Sequence, residues 1–172
     1  DLIAYVRYVL PGSDAAAKNI KRGDVFLSVN NEQLTINNYT ELLSSEEESF
    51  SIQLAEINGG FVNPISKSID LVKAEIQENP IHIQKVIELN NKKIGYLMYN
   101  GFVADFDAEL QNVLAGFQTQ GVSDLIIDLR YNRGGRTSSS IKLASMITGQ
   151  FSGELFAQTK HNDKLPSWNE SQ

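Results

Sequence analysis

Residues 124–135 read Asp124-Leu125-Ile126-Ile127-Asp128-Leu129-Arg130-Tyr131-Asn132-Arg133-Gly134-Gly135, and their order decides the fold. The short, nearly continuous apolar run over 124–129 is how a strand covered on both faces reads. It leads directly into a polar loop closed by two glycines. Such glycines let the backbone turn sharply and leave N–H groups unobstructed. Backbone donors at a strand end, next to a helix N-terminus, suit a developing oxyanion. Gly134 and Gly135 are therefore the candidate oxyanion-hole residues. The plainer reading of the same residues is a tight strand-to-helix turn.

On either side the period changes. Phe106, Leu110, Val113, Leu114 and Phe117 fall at helical spacing, with Asp105 or Asp107 near the start and Gly121 just past the end. A second amphipathic helix is predicted through Ile141, Leu143, Ala144 and Ile147, ending at Gly149, and a further strand over Phe151 to Gln158. Upstream, Ile81 to Leu89 and Ile94 to Tyr99 read as strands joined by a loop at Asn90–Lys93. Strand, helix, strand, loop, helix, strand is the grammar of an α/β domain.

The first sixty residues follow another pattern. Asp1 to Val9 is extended and rich in aromatic and aliphatic residues, which favours a strand. Pro11-Gly12-Ser13-Asp14 is a turn whose Ser13 or Asp14 can cap a short helix over Ala15 to Asn19. Val25 to Val29 is a buried strand punctuated by Asn30-Asn31, as in a tight hairpin. Asn37 or Asn38 can cap a helix through Tyr39, Leu42 and Leu43, and Ser49 to Ile57 reads as a strand. These divisions predict a module over 1–57, connecting strands over 58–80 and an incomplete core over 81–172. The sequence opens at Asp1 inside a strand-like run with no Met, and closes on a polar stretch from Lys160 to Gln172 that contains Pro166 and has no helical or strand period, so a piece of a longer chain is expected.

Composition excludes several function classes. The 172 residues carry 15 Lys and Arg against 21 Asp and Glu, a net charge of −6, which disfavours a broad electrostatic nucleic-acid binder. With no cysteine, thiolate catalysis, disulfides and Cys-based zinc sites are excluded. No apolar run approaches the ~18 to 20 residues a membrane helix needs. His82 and His161 have no ligand or triad spacing, so neither a metal nor another cofactor is expected.

Asp128 to Gly135 resembles the DLRxNPGG signature of the tail-specific, or C-terminal-processing, serine proteases. Ile94 to Phe102 resembles that family's IGYIRISSF strand, and Gln120 to Asp128 the turn and strand that deliver the signature. Pro11 to Ala16 together with Ile20 to Asn31 is similar to the GSPAAKAGIKPGDVILAINGK run of a PDZ domain. Arg133 stands where the family often has Pro, and Asp14 where the PDZ run usually has Pro. The resemblance implies a two-part α+β and α/β chain. A PDZ-like β-rich module would be followed by the first part of a protease core of the ClpP/crotonase type.

The same resemblance implies a serine endopeptidase acting on polypeptide C-terminal regions, with Gly134 and Gly135 as oxyanion donors. Its nucleophile lies in a small-residue run ending in Ser-Glu, with a later Lys (in some relatives a His) as base, and nothing from Phe151 to Gln172 resembles either. Thr137, Ser138, Ser139 and Ser140 sit at an expected helix start, where hydroxyls commonly cap N–H groups, so they are read as caps. The fragment by itself is expected to be inactive. In a PDZ fold a peptide adds as a strand beside a helix, and Leu2, Ile3, Ala4, Tyr39, Leu42 and Leu43 are the matching elements. The plainer reading makes them the module's own core. Expected partners are polypeptide substrates, in a periplasmic, secreted or cell-envelope setting. The alternative is a non-catalytic peptide-binding or scaffolding protein that keeps the protease fold.

Overall fold

The computed structural model describes residues 2–155, 157, 158 and 160–164. The chain divides into two compact units, Asp1–Glu78 and Asn79–Gln172.

The first unit is one antiparallel sheet with two short helices. Its strands are β1 (Ala4–Tyr5), β2 (Val25–Val29), β3 (Glu32–Gln33), β4 (Ser49–Asn58) and β5 (Phe61–Val72), ordered β1-β2-β4-β5 with β3 on β2. The helices are α1 (Asp14–Ala17) and α2 (Tyr39–Ser44). Ser13 caps α1 as its sequence position predicts, its hydroxyl accepting from Ala16 N–H. Asn30 and Asn31 take φ of 50° and 61° in the two-residue turn between β2 and β3. Asn tolerates this left-handed region better than most side chains, so the pair makes a tight hairpin. Leu34 and Val29 are fully buried and pack with Ile20, Ile52, Ile69 and Leu71.

Two expectations fail here. Only Ala4–Tyr5 of the extended opening run forms ladder pairs, because β1 meets β2 through just those two residues. The segment 58–80 is no bridge up to residue 72: β5 pairs with β4 along nearly its whole length. Asp14 reinforces this, accepting from Val72 N–H at 2.8 Å while Lys18 donates to the same carboxylate oxygen and to Asp70 O. The first compact unit therefore runs to residue 78 rather than 57.

The second unit follows the predicted grammar closely. The hairpin β6 (Ile81–Leu89) and β7 (Lys92–Tyr99) is followed by α3 (Asp107–Thr119), β8 (Asp124–Asp128) and α4 (Thr137–Ile147). The sheet order is β6-β7-β8, with β7 and β8 parallel. On one face, Leu97 and Tyr99 of β7 meet Leu110, Val113 and Phe117 of α3 and Leu143 of α4. Fully burying such an apolar side chain contributes about 1.5–3 kcal/mol each. Strand β8 is covered on one face only, where its apolar run predicts both: Ile126 is 47% exposed, whereas Leu125 and Ile127 pack on the core. The predicted strand over Phe151–Gln158 is absent where described. Gly149–Phe151 is instead a single 3-10 turn, and Phe156 lies outside the described residues.

Candidate functional site

Parallel β7 and β8 deliver two loops to the same end of the sheet: Asn100–Val103 after β7 and Leu129–Arg136 after β8. The second is built by local bonds. Asp128 ends β8 nearly buried, its Oδ1 accepting from Arg130 N–H at 3.1 Å and from Arg130 Nε at 2.9 Å. Its Oδ2 accepts from Arg130 Nη2 at 2.5 Å and from Tyr96 Oη–H at 2.7 Å. The guanidinium bonds hold the Asp128 carboxyl far below the usual carboxylate range, despite the opposing effect of burial. The same carboxylate raises the Tyr96 phenol, because that phenol donates to it.

Asn132 acts as a bracket. Its Nδ2 donates to Tyr99 O at 3.0 Å, and its Oδ1 accepts from Gly134 N–H at 2.8 Å. Beyond it the loop lies against the β7 exit. Phe102 N–H donates to Gly134 O at 2.9 Å, and Arg136 N–H donates to Phe102 O at 2.8 Å. A Cβ at Gly135, where φ is +136°, would stand 2.2 Å from Phe102 O. Only glycine fits there. At Gly134, with φ of +96°, a Cβ would meet nothing within 4 Å, so only the dihedral argues for glycine.

The two candidate oxyanion residues thus differ. Gly134 N–H is engaged within the loop, while Gly135 N–H has no acceptor among the described residues. Spacing alone could not separate them; the Asn two positions before the first glycine was the available signal.

The hydroxyl run is not a capping run. Arg136 is the residue preceding α4, and no side chain caps that end. Ser140 Oγ–H donates to Thr137 O, and Ser139 is fully buried, packed into the helix interface rather than offered to a substrate. Lys142, one turn on, donates to Asp107 at 2.7 Å and so lowers that carboxyl. Among the described residues no group of His, Asp and Glu is arranged to hold a metal ion.

A second candidate site is an apolar groove of about 350 Å³ in the first unit. Leu42 and Leu43 of α2 line it, with Val6, Val9, Leu10, Phe26, Phe50 and Leu71, and Lys73 and Ser45 among its polar groups. Leu2, Ile3, Ala4 and Tyr39 do not line it: Leu2 and Ala4 pack toward the core, and Ile3 and Tyr39 are each 40% exposed. The chain walls the groove with Val6, Tyr8, Val9 and Leu10, which follow the end of β1 at Tyr5.

Residues 93–170 match peptidase family S41. The resemblance to the C-terminal-processing proteases therefore stands. A carboxyl-terminal-processing protease of Picosynechococcus sp. is 28% identical over 149 residues, covering 82% of this chain and 34% of the relative. The chloroplastic carboxyl-terminal-processing peptidase 2 of Arabidopsis thaliana is 28% identical over 142 residues, covering 78% and 26%. The chain spans about a third or less of the length of these curated relatives. An S41 protease candidate from Bacteroides fragilis superposes with a TM-score of 0.65 at 30% identity, covering 80% of this chain and 38% of that one. The photosystem II D1 C-terminal processing protease matches at the level of fold, with a TM-score of 0.54 at 20% identity over 86% of this chain and 43% of that one. The relatives are bacterial and chloroplast proteins, and no described helix of this chain is long and apolar enough to cross a membrane.

Proposed function

We propose that this chain belongs to a serine endopeptidase that cleaves polypeptides in their C-terminal regions, with its first unit a PDZ-like module that recognises substrate. One observation carries the reading. In the segment that matches the peptidase family, the backbone N–H of Gly135 has no acceptor among the described residues, at the exit of a parallel strand and at a position where a Cβ would strike Phe102 O. Such a donor stabilises the oxygen that becomes negative when a serine attacks a peptide carbonyl.

In the proposed reaction the serine oxygen bonds to the carbonyl carbon and its proton passes to a lysine, or in some relatives a histidine. The C–N bond then breaks as the amine leaves with that proton, and water resolves the acyl-enzyme. Neither nucleophile nor base is assigned to a residue of this chain. Buried Ser139 is unsuited to attack, and Lys142 is bonded to Asp107. Both groups would come from the part of the relatives' length that the chain does not span. The apolar groove at Leu42 and Leu43 would take a peptide's apolar side chains, and the setting would be periplasmic, secreted or cell-envelope.

The test pairs the 172-residue chain with the longer protein that contains it. A fluorophosphonate probe should phosphonylate one serine of the longer protein, outside residues 1–172, with loss of fluoride, and leave the chain itself unlabelled. The longer protein should cleave an unstructured peptide, and substituting the labelled serine by Ala should abolish cleavage. An unlabelled, inactive longer protein that still binds the peptide would replace this reading with a peptide-binding scaffold. Phosphonylation of Ser139 in the chain would overturn the exclusion of that residue.

A further inference from the structure

The structure assigns Asn132 as a positioning residue that divides the labour of the two glycines: by taking the Gly134 N–H for itself, it leaves Gly135 N–H as the loop's single donor to the reaction. This rests on the protease reading above and refines it from a pair of equivalent donors to one.

Three observations converge on this assignment. First, both ends of the Asn132 carboxamide are used, Nδ2 on Tyr99 O and Oδ1 on Gly134 N–H. A carboxamide fixed at both ends cannot turn away to release the amide. Second, Phe102 holds the two peptide units on either side of Gly135, donating to Gly134 O of the first and accepting from Arg136 N–H of the second. The plane that carries the Gly135 N–H is therefore set by bonds that do not involve that N–H. Third, the two glycines differ in what they tolerate. A Cβ at Gly135 would strike the Phe102 carbonyl, whereas the space around Gly134 is open. An open side with a bonded amide marks a turn residue; a closed side with an unbonded amide marks a donor pressed into place. Tyr99, the other anchor, is fully buried in the core, so Asn132 ties the loop to the most rigid part of the unit.

The alternative is that Asn132 merely stabilises the turn. The two roles separate under substitution. Asn132→Ala removes both bonds. Asn132→Asp keeps an acceptor for Gly134 N–H but sets a carboxylate against the Tyr99 carbonyl, which can only accept. A displaced donor affects the transition state and not ground-state binding, so it lowers kcat and leaves KM alone. A misplacement of about 1 Å can cost roughly 10²-fold.

The experiment has two arms. In the ¹⁵N-labelled 172-residue chain, the Gly134 amide should exchange slowly with solvent and the Gly135 amide rapidly. In Asn132→Ala the Gly134 amide should become as fast as its neighbour, while core amides of β7 stay protected. In the longer protein, Asn132→Ala should lower kcat by about 10²-fold with KM changed less than about twofold, and Asn132→Asp should fall between it and wild type. A fast-exchanging Gly134 amide in the unmodified chain overturns the assignment, whatever the enzyme does. An unchanged kcat in a folded Asn132→Ala protein, or a loss carried by KM, overturns the positioning role. Absence of any probe-labelled serine defeats the protease reading and with it the catalytic half of the assignment, and this failure is visible separately from the amide result.

Discussion

Gly95 lies on β7 facing α3, where its missing side chain makes room for an aromatic ring. A Cβ there would stand 2.9 Å from Phe117 Cδ2 and 3.1 Å from two further ring atoms, Cγ and Cε2. Phe117 is 6% exposed and packs in the core with Leu97, Tyr99 and Leu110, so its ring can shift only at the expense of those contacts. Overpacking of this kind costs about 1–3 kcal/mol. Replacing a strand glycine by alanine also recovers about 0.5–1 kcal/mol of backbone entropy. Gly95→Ala should therefore destabilise the second unit by about 1 kcal/mol and at most about 2.5 kcal/mol, the central value being a factor of about 5 in its opening equilibrium. Native-state hydrogen exchange at the Leu97 and Tyr99 amides reads that opening directly. The cause can be isolated with Phe117→Leu, which vacates ring volume beside the new methyl. The double variant should be more stable than the sum of the singles by at least about 1 kcal/mol, since contacting residues couple. Additivity within about 0.5 kcal/mol, or an unchanged exchange rate in Gly95→Ala, would refute the steric argument.

Gly135→Ala should break the contact with Phe102 and strip exchange protection from the Arg136 amide, while Gly134→Ala should cost only the roughly 1–2 kcal/mol of a left-handed alanine and keep that protection. Asp128, whose folded pKa lies below its unfolded value near 3.9, stabilises the fold in full above that value and loses its contribution as pH falls toward the folded pKa. Urea titrations from pH 5 to pH 2 should thus show a shallower acid loss in Asp128→Asn than in wild type. Some dependence should persist through Asp14, Asp107 and Asp124, which are also lowered. For the groove, Leu43→Asp should weaken binding of a peptide with an apolar C-terminus by about tenfold or more, roughly 1.4 kcal/mol, and Tyr39→Ala should leave it unchanged by calorimetry. The reverse order would restore Tyr39 as a groove residue.

The second unit was the more legible half. Its elements are long, with apolar residues at clean spacings, and Asn90-Asn91 marks the turn by composition alone. What periodicity could not give was sidedness. The run over 124–129 is nearly continuously apolar, yet only Leu125 and Ile127 face the core, because side chains alternate along a strand and the helices cover one face of β8. In the first unit the boundary is set by β5, which returns along β4 from the two-residue turn Gly59-Gly60, with Asn58 facing Phe61. A glycine pair is a local turn signal, but how far the ladder then runs, to Val72 opposite Ser49, is fixed by pairing and not by any local pattern. The two glycines were readable as a turn, but the difference between them rests on one Asn side chain and one carbonyl from the preceding strand, which are contacts of the fold.

The parallel pairing of β7 with β8 has a consequence for the order in which the unit condenses. Leu89 and Lys92 face each other across a two-residue turn with Asn90 and Asn91 already left-handed, so that hairpin closes almost without loop entropy. Ile94 pairs with Asp124, and the intervening chain includes all of α3. Loop-closure cost rises as about (3/2)RT ln n, so this closure costs about 2 kcal/mol more than the hairpin turn. Contacts of that separation form late. The hairpin and α3 come first, β8 docks on them, and only then can Asn132 find the Tyr99 carbonyl. The glycine loop is thus the last part of the sheet end to acquire its shape, and in a refolding time course the Gly134 amide should gain protection after Leu97 and Leu110 have theirs.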